Sequence, residues 1–219
     1  MIGVSRTTLL ALAIVAAPAS VAVFPASVSA TSSALAPGAL SHARSIRAEV
    51  NARYRGMPRR KLVVTDATTT GVVDSLTLVD PSRPQPLRVV PADNGIYFAI
   101  CSAGARCPYP ARSAWPAVAF MPRREALELA LRTFLETTVS VVVVALPTAE
   151  PVWLVFERDD LLANIDAAAA RDQVASNPAV LDEPVRQLVD RLTRPRLFVP
   201  LPVLPSPDDT ILVMAYSSS

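Results

Sequence analysis

The chain has 219 residues, enough for one domain plus a short leader, and its hydrophobic share of 51% comes mostly from Ala, Val and Leu, with 5% aromatics. That composition excludes a chain disordered throughout. The formal charge of +2, about +1 without Arg6, excludes a global field that would draw in nucleic acid or an anionic membrane surface.

Arg6 followed by the apolar run Thr7 to Ala17 has the make-up of a signal peptide, and Val28-Ser29-Ala30 offers the small residues that signal peptidase requires. Residues 1–30 are therefore read as a signal peptide, cleaved near Ala30, and 31–41 as a flexible Ser/Ala-rich spacer. Residues 42–219 are read as a single domain. The alternative for the leader is an uncleaved N-terminal anchor, since Val21 to Val28 extends the apolar length.

Ser41 is placed to cap a helix through Arg55, with Ile46, Val50 and Tyr54 on one stripe and Gly56 and Pro58 ending it. Arg53, Arg55, Arg59, Arg60 and Lys61 then make a basic cluster suited to phosphate groups, acidic polymers or lipid headgroups, or simply to a solvated face. Strand-like runs follow at 62–66, 72–79, 87–90, 96–101 and 117–121. Thr68 to Gly71, the proline loop 81–86 and Asp93-Asn94-Gly95 separate them, and these turns predict an antiparallel meander with positive φ near Gly95.

Residues 122–146 form the expected core: an amphipathic helix with Leu127, Ala130, Leu131, Phe134 and Leu135 on one face, then the strand Val141 to Val144, buried on both sides. Glu125, Glu128, Arg132 and Glu136 are assigned to the wet faces of that helix, with Arg124–Glu128 and Arg132–Glu136 as i, i+4 pairs. Val152 to Phe156 is the next strand, antiparallel to the first. Beyond it the pattern predicts a helix over 161–172 and another capped by Asp182, with Val185, Leu188, Val189 and Leu192 on its apolar stripe. Prolines 195, 200, 202, 205 and 207 point to an edge or polyproline path, and 211–216 is a final strand. The fold class is α+β: a largely antiparallel sheet packed against a central amphipathic helix and two C-terminal helices.

Chemistry-bearing residues are few. Cys101 and Cys107 are spaced for a disulfide in an exported chain, worth about 2 to 3 kcal/mol through loop entropy. With no C-x-x-C spacing and no second Cys/His group, neither redox work nor a metal site is expected. His42, the single histidine, reads as an exposed residue in a helix's first turn. With a single histidine, Ser-His-Asp triads and histidine-rich zinc sites are very hard to assemble, and no G-x-S-x-G, P-loop or G-x-G-x-x-G occurs. No cofactor is expected. The carboxylates Glu157, Asp159 and Asp160, with Asp93, are the candidates for acid/base work, their plainer role being a helix cap. These features together favour an exported, disulfide-containing, non-catalytic domain of the cell envelope or extracellular space that binds a protein or envelope component. The alternatives are a small secreted hydrolase using those carboxylates and a membrane-tethered structural protein.

Overall fold

A computed structural model describes residues 35–55, 62–70, 73, 75–81, 85–102, 119–148, 151–163, 165–180, 182–201 and 211–217, all within the unit Thr31–Ser219. In chain order the elements are α1 (Ala39–Arg55), β1 (Leu62–Thr69), β2 (Ser75–Val79), β3 (Leu87–Pro91), β4 (Gly95–Ser102), α2 (Phe120–Glu136), β5 (Val141–Ala145) and β6 (Trp153–Glu157). Then come α3 (Arg158–Leu162), α4 (Ala167–Val174), α5 (Glu183–Thr193), a 3-10 turn at Arg194–Arg196, β7 (Leu197–Pro200) and β8 (Ile211–Tyr216). The fold is α+β, with a mostly antiparallel sheet.

The strand order is β1-β4-β5-β6-β7-β8-β2-β3, which corrects the expected meander. β2 and β3 are antiparallel neighbours across the proline loop, as expected. Neither β1–β2 nor β3–β4 is a hairpin: β4 lies between β1 and β5, and β2 lies between β3 and β8. Local turn chemistry misled because β4 runs parallel to β5, and parallel neighbours need a long crossover, which α2 supplies. The other parallel pair is β2 with β8. The expected positive φ near Gly95 is also absent; Gly38, at φ 90°, is the described residue that has one. Phe120 and Met121, expected to end a strand, open α2.

β5 is buried at every position, as the Val run predicts, and β6 pairs with it antiparallel. Alternation explains this. Val142, Val144, Leu154, Phe156, Ile96 and Phe98 face the helices, whereas Val141, Val143, Val155 and Phe198 face a second core with Leu76, Leu78, Val90 and Met214. That second core exists because the sheet curls. A flat sheet would hold β6 and β3 four spacings apart, about 19 Å. Yet Arg88 of β3 and Glu157 of β6 form an ion pair at 2.6 Å. At the outermost strands, Thr70, just past β1, donates its hydroxyl to the carbonyl of Ala92, just past β3.

β7, despite the prolines around it, is interior and not an edge: it pairs with β6 on one side and β8 on the other, and its single proline, Pro200, is its last residue. The edge strand β1 is partly covered by α1. Asn51 donates to the Val64 carbonyl at 2.9 Å and accepts from the Val64 amide at 2.7 Å, next to the register shift between Val64 and Asp66. The folded part begins before the expected Ser41 cap. Ala39 is buried, Leu35 and Leu40 pack on the core, and Ser41 donates its hydroxyl to the Gly38 carbonyl at 2.7 Å. The helix expected over 161–172 is two shorter ones, the second capped by Asp166, whose carboxylate accepts from the Ala169 amide at 3.0 Å. α5 keeps its expected stripe, with Val185, Leu188, Val189 and Leu192 buried.

Candidate functional site

The largest departure from the sequence pattern is on α2. Arg123, Arg124, Glu125 and Glu128 are all buried, because α2 lies among α1, α4, α5 and the sheet. Arg124 does not pair with Glu128. Its guanidinium donates to the Val174 carbonyl at 3.0 Å and the Ser176 carbonyl at 2.8 Å, satisfying the C-terminal end of α4. Arg123 reaches Thr193 Oγ1 at 2.8 Å and Asp190 at 2.6 Å on α5. Arg158 does the same for α2 itself, donating to the Phe134 carbonyl at 2.6 Å, the Val139 carbonyl at 2.7 Å and the Thr137 carbonyl. Arg196 donates to the Leu192 carbonyl near the end of α5 at 2.8 Å. Several of the chain's arginines thus serve as internal helix caps.

Between α1 and α2 the polar contacts form an antiparallel ladder. His42 meets Glu136 at 3.0 Å, Glu49 meets Arg132 at 2.7 Å, and Arg53 meets the fully buried Glu128. Arg132 also pairs with Glu136 at 2.9 Å, the one i, i+4 pair of α2 that the sequence pattern placed correctly. Burial alone would raise the Glu136 carboxyl, but hydrogen bonds from Arg132 and His42 outweigh it and hold the group below its ordinary range. Glu125 has no such help. Burial pushes its pKa up to about 8, and neither of its oxygens accepts a hydrogen bond among the described residues. Burial, and then the nearby Glu125, push the Tyr54 phenol above its ordinary range.

The sequence candidates gather at one end of the sheet but do not converge on one point. Gly95, Val141 and Glu157 are aligned across β4, β5 and β6, which places the Asp93 turn and the Glu157–Asp160 segment at the same end. There Asp93 accepts from the Asn94 amide at 3.1 Å, and Glu157 pairs with Arg88. Asp160 pairs with Arg196 at 2.7 Å, and Asp159 lies exposed in the first turn of α3. No side-chain cap bond forms at the start of that helix. Of the basic cluster, Arg53 turns toward Glu128; the Arg55 side chain and Arg59, Arg60 and Lys61 lie outside the described residues. Cys101 is buried at the end of β4, and Cys107 also lies outside the described residues. Among the described residues no group of His, Cys, Asp or Glu has a metal-holding arrangement.

Two pockets stand out. The first, about 450 Å³ and open, lies where the start of α1 meets the end of α2, with His42, Glu136, Thr137 and Thr138 in its wall. His42, which the sequence pattern assigns to an exposed first turn, is indeed half in water there, and only its partner Glu136 was hidden from sequence. Beside the dyad the Ser41 hydroxyl donates to the Gly38 carbonyl and the Thr137 hydroxyl to the Thr133 carbonyl, so neither is presented to His42 as a nucleophile. The second pocket, about 160 Å³, lies in the curl of the sheet. Val73, Leu76, Val143 and Leu212 form its apolar walls, Tyr97 and Trp153 stand edge to face with centroids 5.7 Å apart, and Thr68 to Thr70 line the remaining side. The sequence offered no signal for it, because its walls come from six different strands.

No described helix is long and apolar enough to cross a membrane. Compared with known proteins, the chain matches no family model, no curated protein and no solved structure.

Proposed function

We propose that the chain is an exported, disulfide-pinned, non-catalytic domain of the cell envelope or extracellular space that binds another protein or an envelope component. The observation that carries this reading is the separate engagement of the candidate carboxylates. Glu157 is held by Arg88 and Asp160 by Arg196, where a hydrolase centre needs two carboxyl groups facing one cleft. A contact surface of the right character lies on the edge strand β3, where Leu87 and Val89 are 60% and 59% exposed beside the partly exposed Val79 of β2. The leader motif around Ala30 supports export, and the spacing of Cys101 and Cys107 supports the disulfide.

Intact-mass measurement of the native protein with and without reductant tests the first half of the proposal. A chain beginning near Thr31, gaining one hydrogen per cysteine on reduction, is expected. A full-length mass or free thiols would end the exported, disulfide-pinned reading. A photo-cross-linker at Val89, used in the native envelope, tests the second half: an adduct of defined mass should form there and not from the same group at the exposed Arg186 of α5. Equal labelling at both positions, or none, removes β3 as the contact surface.

A further inference from the structure

We infer that the pocket in the curl of the sheet is a binding site for a small neutral ring compound, aromatic or alicyclic. Its size sets the first limit. A cavity of about 150 Å³ with an apolar lining admits a benzene-sized molecule, and this one is about 160 Å³. Its chemistry sets the second. Among the described residues no Asp, Glu, Lys, Arg or His lines it, so an ionised ligand would lose water with no opposite charge from these walls to meet it. The third limit is shape. Tyr97 and Trp153, stacked edge to face on each other with planes 64° apart, both line the space, and aromatic walls favour a ring that can pack against them over a narrow chain. Both rings are only partly buried, so they stand at the mouth while Leu76 and Val143 close the floor.

The pocket is also held in shape without a ligand. Its walls are strands, and Thr70 is pinned by its hydroxyl bond to Ala92 and by its amide bond to the Gly95 carbonyl at 3.1 Å. A preformed apolar site with a few hydroxyls is the usual form of a small-molecule pocket. This inference does not depend on which partner meets β3, and its failure would leave that proposal standing.

The test uses benzyl alcohol as the neutral ring, benzoate as the same ring with a charge, and n-hexanol as a chain. Binding to the full chain is followed by NMR at the Trp153 indole N–H, assigned with Trp115→Phe. Benzyl alcohol should give a saturable shift of that resonance, with affinity at least tenfold better than benzoate or n-hexanol. Leu212→Phe and Val73→Phe, at partly buried wall positions, should each weaken it tenfold or more while leaving the thermal midpoint within a few degrees. If either variant fails to fold, the other decides. No saturable shift at Trp153, equal binding of benzoate or n-hexanol, or undiminished binding in the folded filled variant overturns the site.

Discussion

On the helix side of the sheet, α2 carries Arg123, Arg124, Glu125 and Glu128 into the interior, whereas the concave side buries Leu76, Leu78, Val141, Val143, Val155, Phe198 and Met214 with no ionised group among them. The concave core is lined mostly by apolar side chains, with the Arg88–Glu157 ion pair and the Thr70–Ala92 hydrogen bond at its rim, and leaves a small space unfilled. The helix-side core is apolar too, but its helices are tied end to end by guanidinium groups that reach backbone carbonyls. Such ties do not guarantee stability, since burying a charge costs several kcal/mol before any partner repays it. They do fix which helix end meets which neighbour. The difference teaches that the two faces should respond to different perturbations: the helix side to pH and to loss of a charge partner, the concave side to changes of volume.

The largest expected effect tests the pH half of that contrast. Glu125 stays protonated in the fold up to about pH 8 but ionises from 4.5 upward in the unfolded chain, so the folded state binds one more proton across that window. Stability should therefore fall as pH rises, by about 1.4 kcal/mol per unit and on the order of 4 to 5 kcal/mol in all. It should level off above pH 8. Glu125→Gln removes this contribution, so urea unfolding from pH 4.5 to 9 should show the variant gaining steadily on the parent. Parallel curves would place a charge partner at Glu125 and undo the contrast.

Next comes Arg53→Met, which strands the carboxylate of Glu128, whose side chain is 0% exposed. Breaking a buried pair from one side costs about 3 to 5 kcal/mol. The lower end applies here because Arg53 keeps 32% of its side chain in water. Adding Glu128→Leu should recover most of the loss, as a double-mutant cycle in urea will show; no recovery would mean that Arg53 acts through packing.

The smallest effect belongs to the concave side. A Cβ at Gly95 would approach the Ala92 carbonyl oxygen to 2.9 Å and the Thr70 hydroxyl closer still, so Gly95→Ala should cost about 1 to 3 kcal/mol. Its cost should not vary with pH between 4.5 and 9, unlike that of the α2 variants. Thermal unfolding at the two ends of that range checks this.

Several elements were legible because their signals are local. The Val run of β5 is buried on both faces, β6 follows as its antiparallel neighbour, and the stripe of α5 faces inward, each as its periodicity implies. α2 shows where such reading stops. Its charges recur at surface spacing, and Arg132 with Glu136 does form the expected pair. What decides the fate of Arg124 is the end of α4, fifty residues away in sequence, and what decides Glu128 is Arg53 on α1. Likewise Asp93-Asn94-Gly95 carries hairpin chemistry, yet the glycine is needed for the close approach of Thr70 and Ala92.

The sequence by itself determined the α+β class, the central helix and strand of 122–146, and the positions of most strands, since periodicity and breakers act within a few residues. Tertiary structure alone decided the strand order, the curl that creates a second core, and the conversion of arginines into internal caps. Each of those depends on which distant element lies opposite, and residue spacing along the chain does not encode that. The candidate ring pocket belongs to the same class of feature: β1, β2, β4, β5, β6 and β8 each give it a wall, and it exists only once the sheet has curled.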